Sequence, residues 1–127
     1  MFKILLVGCG GFIGSVFRYL VAMLTHYWIQ RDDLPIATLI VNVIGCLLIG
    51  MLARLGEVRG VLTEQSRAFI IVGILGGFTT YSSFANETIQ LGRNGQSMMA
   101  LTNVAAQLLL GLGAVWIGRE ICQKIWG

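Results

Sequence analysis

Charge is scarce in this chain of 127 residues, where Asp, Glu, Lys and Arg together make up 12% against roughly 25% in ordinary soluble domains. Hydrophobic residues make up 56% and the mean hydropathy is +0.80. A small domain has too much surface to hide that many apolar side chains, so a soluble monomer is excluded, and so is a disordered tail. Cysteine is also sparse. Cys9, Cys46 and Cys122 form no C-x-x-C pair and have no neighbouring histidine, which excludes a disulfide framework and a zinc site and leaves them as helix-packing residues. Histidine occurs once, at His26, and no nucleophile–base pair stands out, so no enzyme is expected. The net charge of +3 comes from scattered residues. No basic cluster interleaved with aromatics offers a nucleic-acid groove, and the positive residues read as loops at a membrane surface. What remains is an all-α integral membrane protein of one small domain.

Four apolar blocks fit that class. They run from Ile4 to Thr25, Ile36 to Ala53, Ala68 to Leu91 and Met98 to Gly118. Each has roughly 18–24 residues, enough helix to cross a hydrocarbon core of about 30 Å. The first reads as a retained helix and not a signal peptide, because it is glycine-rich, holds Arg18 and lacks an A-x-A site. The connectors, His26 to Pro35, Arg54 to Arg67 and Gly92 to Gln96, are short and polar. Tyr27, Trp28 and Trp126 take interfacial anchor positions. Lys3, Arg54, Arg59, Arg67, Arg119 and Lys124 fall on one side and Arg31 and Arg93 on the other, which favours cytoplasmic termini.

The N-terminus carries a decoy. Gly8, Gly11 and Gly14 follow a strand-like run, and Asp32 and Asp33 lie about 20 residues further on, as in a dinucleotide fingerprint. That mechanism needs a second strand ending at the acid, whereas these acids sit in a D-D-L-P turn before an uncharged apolar block. The competing reading is helix contact: Gly10 and Gly14, with Gly11 and Ser15 beside them, let another helix approach closely in lipid.

Polar groups inside apolar spans carry information, because each must find a partner there. Thr38, Asn42 and Gly45 share one face of the second helix, and Asn103, Gln107, Gly111 and Ala114 share one face of the fourth. By themselves these faces fit interhelical hydrogen bonding and a polar track equally well. The third block says more. Gly76 and Gly77 precede Phe78, Thr79, Thr80, Tyr81, Ser82, Ser83 and Phe84 near the centre of a span. Glycine weakens a helix interior, and hydroxyls offer the backbone competing bonds, so a helix break is expected there. Such a break persists only where protein or water covers the freed backbone; its carbonyls can hold a small cation, and a half-helix N-terminus can face an anion. Of the two intramembrane charges, Arg18 can snorkel. Glu87, near the end of its span, reads as interfacially solvated before it reads as a proton relay.

These residues resemble the Fluc-type small fluoride channels of bacteria, the CrcB family. The resemblance rests on Gly14-Ser15-Val16-Phe17-Arg18-Tyr19, on Thr38-Leu39-Ile40-Val41-Asn42, and above all on Gly76 through Phe84 followed by Glu87. It implies a multi-pass protein of the bacterial inner membrane that passively exports toxic cytoplasmic fluoride. It also implies four helices with a break in the third, an antiparallel, dual-topology homodimer, and two pores along the dimer interface. A structural sodium ion would be held by the backbone carbonyls of Gly76 and Thr79, Asn42 would donate a hydrogen bond into the pore, and Phe84 would present its ring edge to the anion. The sequence departs from the family pattern at Tyr81, usually phenylalanine, and at Gly111, commonly a hydroxyl residue.

The candidate pore lining is therefore Thr38, Asn42, Thr80, Tyr81, Ser82, Ser83, Phe84, Glu87, Asn103 and Gln107, with Arg18 structural. Hydroxyls, amides and aromatic edges can replace fluoride's water shell without trapping the ion. A proton-coupled exporter of organic cations is the alternative in the transporter class. It needs an embedded carboxylate, and the first helix carries Arg18 and no acid. A non-conducting assembly factor would use the glycine faces alone.

Overall fold

The computed structural model describes residues 1–30 and 34–127. Arg31 of the charge count and Asp32 and Asp33 of the nucleotide-like pattern lie outside the described residues. Among the described residues the chain is all helix, without a strand. Helix α1 is Phe2–Ile29 and α2 is Ile36–Arg59. Helix α3 (64–78) is built from Glu64–Ser66, the π-helical stretch Arg67–Leu75 and Gly76–Phe78. Helix α4 is Tyr81–Arg93 and α5 is Ser97–Trp126. Among the described residues, four segments are long and apolar enough to cross a membrane: α1, α2, the combined span Glu64–Arg93, and α5.

The helices run past the bounds that hydropathy marks. Helix α2 continues from Ala53 to Arg59, and α5 from Gly118 to Trp126. Hydropathy marks only the uncharged run, while in these ends charged side chains pair within α2 and across to α5. Arg54 meets Glu57 at 3.1 Å one turn away, and Arg119 meets the same carboxylate at 2.8 Å from α5. Arg54 also bonds Gln123. Lys3 pairs with Glu64, joining the starts of α1 and α3. Helix α2 stops at Gly60, where φ is 60° and the N–H closes on the Gly56 carbonyl, a left-handed cap that glycine takes without steric cost.

Where a nucleotide fold would need a strand, α1 is already helical. Its glycines form a seam against α3. A methyl group placed on Gly10 would lie 2.9 Å from Gly73 Cα, and one on Gly14 would lie 2.8 Å from the Phe78 nitrogen. Backbone contact this close needs residues without a Cβ. A second seam joins α2 and α5, where Gly50 meets the Val115 backbone and Gly118 meets that of Leu47 and Met51. The buried core is small, with Val41 and Cys122 the largest fully buried side chains. Phe12, Leu109 and Leu112 are at least 70% exposed, an apolar exterior suited to lipid or to another protein surface.

The third span breaks at its midpoint. Thr79 (φ −80°, ψ 157°) and Thr80 (φ −149°, ψ 110°) are extended, so helix stops after Phe78 and restarts at Tyr81. Thr80 caps the new helix: its Oγ1 accepts the Ser83 N–H at 3.2 Å. A hydroxyl N-cap of this kind satisfies one of the four donors that a helix start leaves open. The paired glycines, the expected point of weakness, sit just before the break in the last turn of α3.

Candidate functional site

A continuous helix would point the Thr80 N–H at the Gly76 carbonyl. Here the side chain of Asn42, on α2, takes that place. Its Oδ1 accepts from the Thr80 nitrogen at 2.8 Å, and its Nδ2 donates to the Thr80 carbonyl at 3.1 Å. One amide thus pairs both backbone groups of a single extended residue. The same Nδ2 donates its other N–H to Gln107 Oε1 on α5, at 3.1 Å. Three helices are joined at the break through one side chain. Below it, the Thr79 N–H and hydroxyl both reach the Leu75 carbonyl, at 3.0 and 2.9 Å. Gly45, one turn beyond Asn42 on α2, lies against the Thr79 methyl with no room for a side chain of its own.

Two cavities meet at the break. The first, about 400 Å³, is a groove on the outer face of the chain, walled by Asn42, Gly45 and Cys46 of α2, Leu75 and Gly76 of α3, and Gln107 of α5. Thr79, Thr80, Tyr81 and Phe84 complete it from the break. The Tyr81 and Phe84 rings meet edge to face, 5.5 Å between centroids, with Tyr81 largely exposed. The second cavity, about 470 Å³, is lined by Ser15, Arg18, Thr38, Thr80, Ser83 and Glu87, among others. Thr80 faces both.

The polar faces of α2 and α5 divide between these spaces. Thr38 donates to Glu87 at 2.6 Å, joining α2 to α4 in the second cavity. Arg18 lines that cavity too and reaches the Thr79 carbonyl at 3.4 Å, a weak bond that ties α1 to the break. Asn103 is buried and donates to Thr88 Oγ1 at 2.9 Å, where it joins α5 to α4 and lines neither cavity. Ser82 is exposed beside the cap, 3.4 Å from Thr80 Oγ1. Sequence reasoning passed over Thr88 and the cavity position of Ser15. Thr88 was findable in principle, because a buried Asn103 requires a partner.

The break also bears on the expected cation. With the Thr80 N–H taken by Asn42, the Gly76 carbonyl loses its helical partner, and Gly76 and Thr79 line the same groove. Uncharged backbone oxygens suit a hard monovalent cation. Among the described residues no cluster of His, Cys, Asp or Glu could hold a transition metal. The weak Arg18 contact leaves the Thr79 carbonyl a second lone pair.

A sequence model described as "CrcB-like protein, Camphor Resistance (CrcB)" matches residues 5–119. The chain belongs to the CrcB family. Its relatives include a protein of Elusimicrobium minutum named fluoride-specific ion channel FluC, 43% identical over 120 residues that cover 94% of this chain and 93% of that protein. A FluC of Shewanella loihica is 42% identical, covering 95% of this chain and 96% of its own. FluC 1 of Methanosarcina acetivorans is 36% identical over 94% and 89% of the two chains. The match thus runs along almost the whole of this CrcB-family chain.

Proposed function

We propose that this chain is a passive, fluoride-selective channel that lets cytoplasmic fluoride leave the cell down its gradient. It works as an antiparallel homodimer in the inner membrane, with two pores and one structural sodium ion. The observation that carries the reading is the unwound residue pair at mid-span, whose polar groups line a groove open to the outside of a chain otherwise clad in apolar side chains. Polar, non-helical backbone at this depth is tolerated only when protein or water covers it. A second copy laid over the groove supplies that cover and brings its own break alongside. The names of the relatives supply the ion.

The residues suit the task. Fluoride is small and a strong hydrogen-bond acceptor. The groove offers it an amide, hydroxyls and the positive edges of Tyr81 and Phe84, with no lysine or arginine to hold it fast. Sites that bind favourably but weakly permit flux. Arg18 and Glu87 line the other cavity that Thr80 borders and contribute to the polar approach. Sodium, held by the carbonyls of Gly76 and Thr79 from both copies, would fix the two breaks against each other without moving.

The test is efflux from proteoliposomes read with a fluoride electrode. Rapid, proton-independent fluoride release with little chloride release is expected. Slow release, or release that follows an imposed proton gradient, refutes the channel.

A further inference from the structure

Hydrogen-bond geometry at the break gives the Asn42 and Gln107 amides different roles. The Thr80 N–H is a fixed donor, so Asn42 must turn its Oδ1 toward it. That orientation points Nδ2 at the Thr80 carbonyl and at Gln107, and both of its N–H groups are used. Gln107 must then present its oxygen to Asn42, because a nitrogen there would set donor against donor. The consequence is visible at the other end of the glutamine amide: Gln107 Nε2 is buried and has no hydrogen-bond partner. A buried, unpaired donor is costly to keep and rare in native structures. Gln107 is also a wall of the outer groove.

We propose that the amide donor that meets the anion in this groove is Gln107 Nε2, and that Asn42 is a positioning residue that clamps the break and aims that amide. The terminal torsion of glutamine is broad, so a small turn presents an N–H to the groove. The bond to Asn42 tolerates a tilt of about 30°. The ligand class is a small, hard, singly charged anion that accepts hydrogen bonds, and within the reading above it is fluoride. A larger, softer anion gains less from one N–H, which makes Gln107 a determinant of selectivity as well as of rate.

The inference rests on the channel reading, and its test keeps the two apart. Fluoride efflux through the wild-type chain in vesicles decides whether the chain is a channel. Gln107→Glu keeps an acceptor for Asn42 and removes the donor; Gln107→Leu removes both. At a pH above neutral, each is expected to lower fluoride efflux at least roughly tenfold, the scale of one hydrogen bond to a charged group, and to narrow the fluoride-to-chloride ratio, with elution as in the wild type. In wild-type protein carrying 15N in its Asn and Gln side chains, adding fluoride should move the Gln107 amide resonances more than those of Asn42, whose bond to Gln107 only tilts. That measurement needs no variant to fold. Wild-type efflux and selectivity through either folded variant, or a fluoride-dependent shift confined to Asn42, overturns the proposal while the channel stands.

Discussion

Replacing Asn42 by alanine is the sharpest perturbation of the break. The substitution removes the acceptor for the Thr80 N–H and the donor to the Thr80 carbonyl, at 2.8 and 3.1 Å, and it frees the Gln107 oxygen. Hydrogen bonds between membrane helices are worth on average only about 0.6 kcal/mol each, which gives ~1 kcal/mol for the pair. Orphaning two buried backbone groups costs ~1–3 kcal/mol apiece. The groove beside Thr80 has room for water, so the low end applies and a loss of about 2 kcal/mol is expected. The Thr80 N–H also has somewhere else to go: in a continuous helix it would return to the Gly76 carbonyl. A shift of ~2 kcal/mol moves the balance between broken and continuous span about 30-fold toward the continuous form.

Two assays read that shift. The initial rate of fluoride release from proteoliposomes should fall well over tenfold, since a straightened span takes Thr79 and Thr80 out of the groove wall. Thermal unfolding in detergent should lose whatever stabilisation added sodium gives the wild type, because a re-formed helix reclaims the Gly76 carbonyl. Asn42→Ala combined with Gln107→Leu should cost less than the sum of the two single changes, since both remove the bond they share. If Asn42→Ala keeps wild-type flux and a sodium-dependent melting temperature, the amide does not hold the break and the reasoning fails.

Three further outcomes follow from other parts of the structure. Phe84→Ile removes the ring edge and its contact with Tyr81; fluoride efflux is expected to drop more than roughly tenfold for at most about 1 kcal/mol of stability, the scale of an aromatic pair, and unchanged efflux would remove Phe84 from the pore. Gly14→Val places a side chain against the backbone at Ile74 and Phe78, which overpacks the seam by about 3 kcal/mol and should lower the melting temperature markedly, whereas Gly8→Ala meets nothing within 4 Å and should leave it unchanged or slightly raised. Replacing sodium by a bulky organic cation throughout purification should lower the melting temperature and flux together, by mass action on a site present only in the folded protein; indifference to sodium would leave the Gly76 and Thr79 carbonyls without that role.

Spans were readable from the sequence because lipid imposes one simple demand, a run of apolar residues long enough to cross. The break was readable for a related reason. Gly76 and Gly77 weaken a helix, and Thr79 and Thr80 offer substitutes for its bonds, so local chemistry alone marked the place to within a few residues. Partners were not readable. Nothing near Asn42 in sequence says that its amide will clamp a residue 38 positions on, or that Arg18 will reach a carbonyl 61 positions away. The widened turns of Arg67–Leu75 were equally hidden. They lie where Gly73 meets the α1 backbone, at a seam formed by two segments far apart in the chain. The polar faces of α2 and α5 were visible as faces, but their division between an outer groove, a second cavity and the Asn103–Thr88 bond needed three dimensions.

The same bonds explain how so costly a feature survives in a small chain. Breaking a helix at mid-membrane leaves N–H and C=O groups that lipid cannot solvate. Thr80 disposes of three of them locally: its hydroxyl caps the Ser83 N–H, and its own peptide groups go to Asn42. Thr79 returns its N–H and its hydroxyl to one carbonyl. Among the groups the chain does not satisfy by itself are the Gly76 carbonyl and the Gln107 amide nitrogen, an acceptor and a donor from residues that wall one groove, and Glu87 Oε2 in the second cavity. An acceptor without a partner invites a cation and a donor without a partner invites an anion. The acceptor and the donor left open in one groove are what a cation and an anion would each need, and that is how the break bears on the proposed ion conduction.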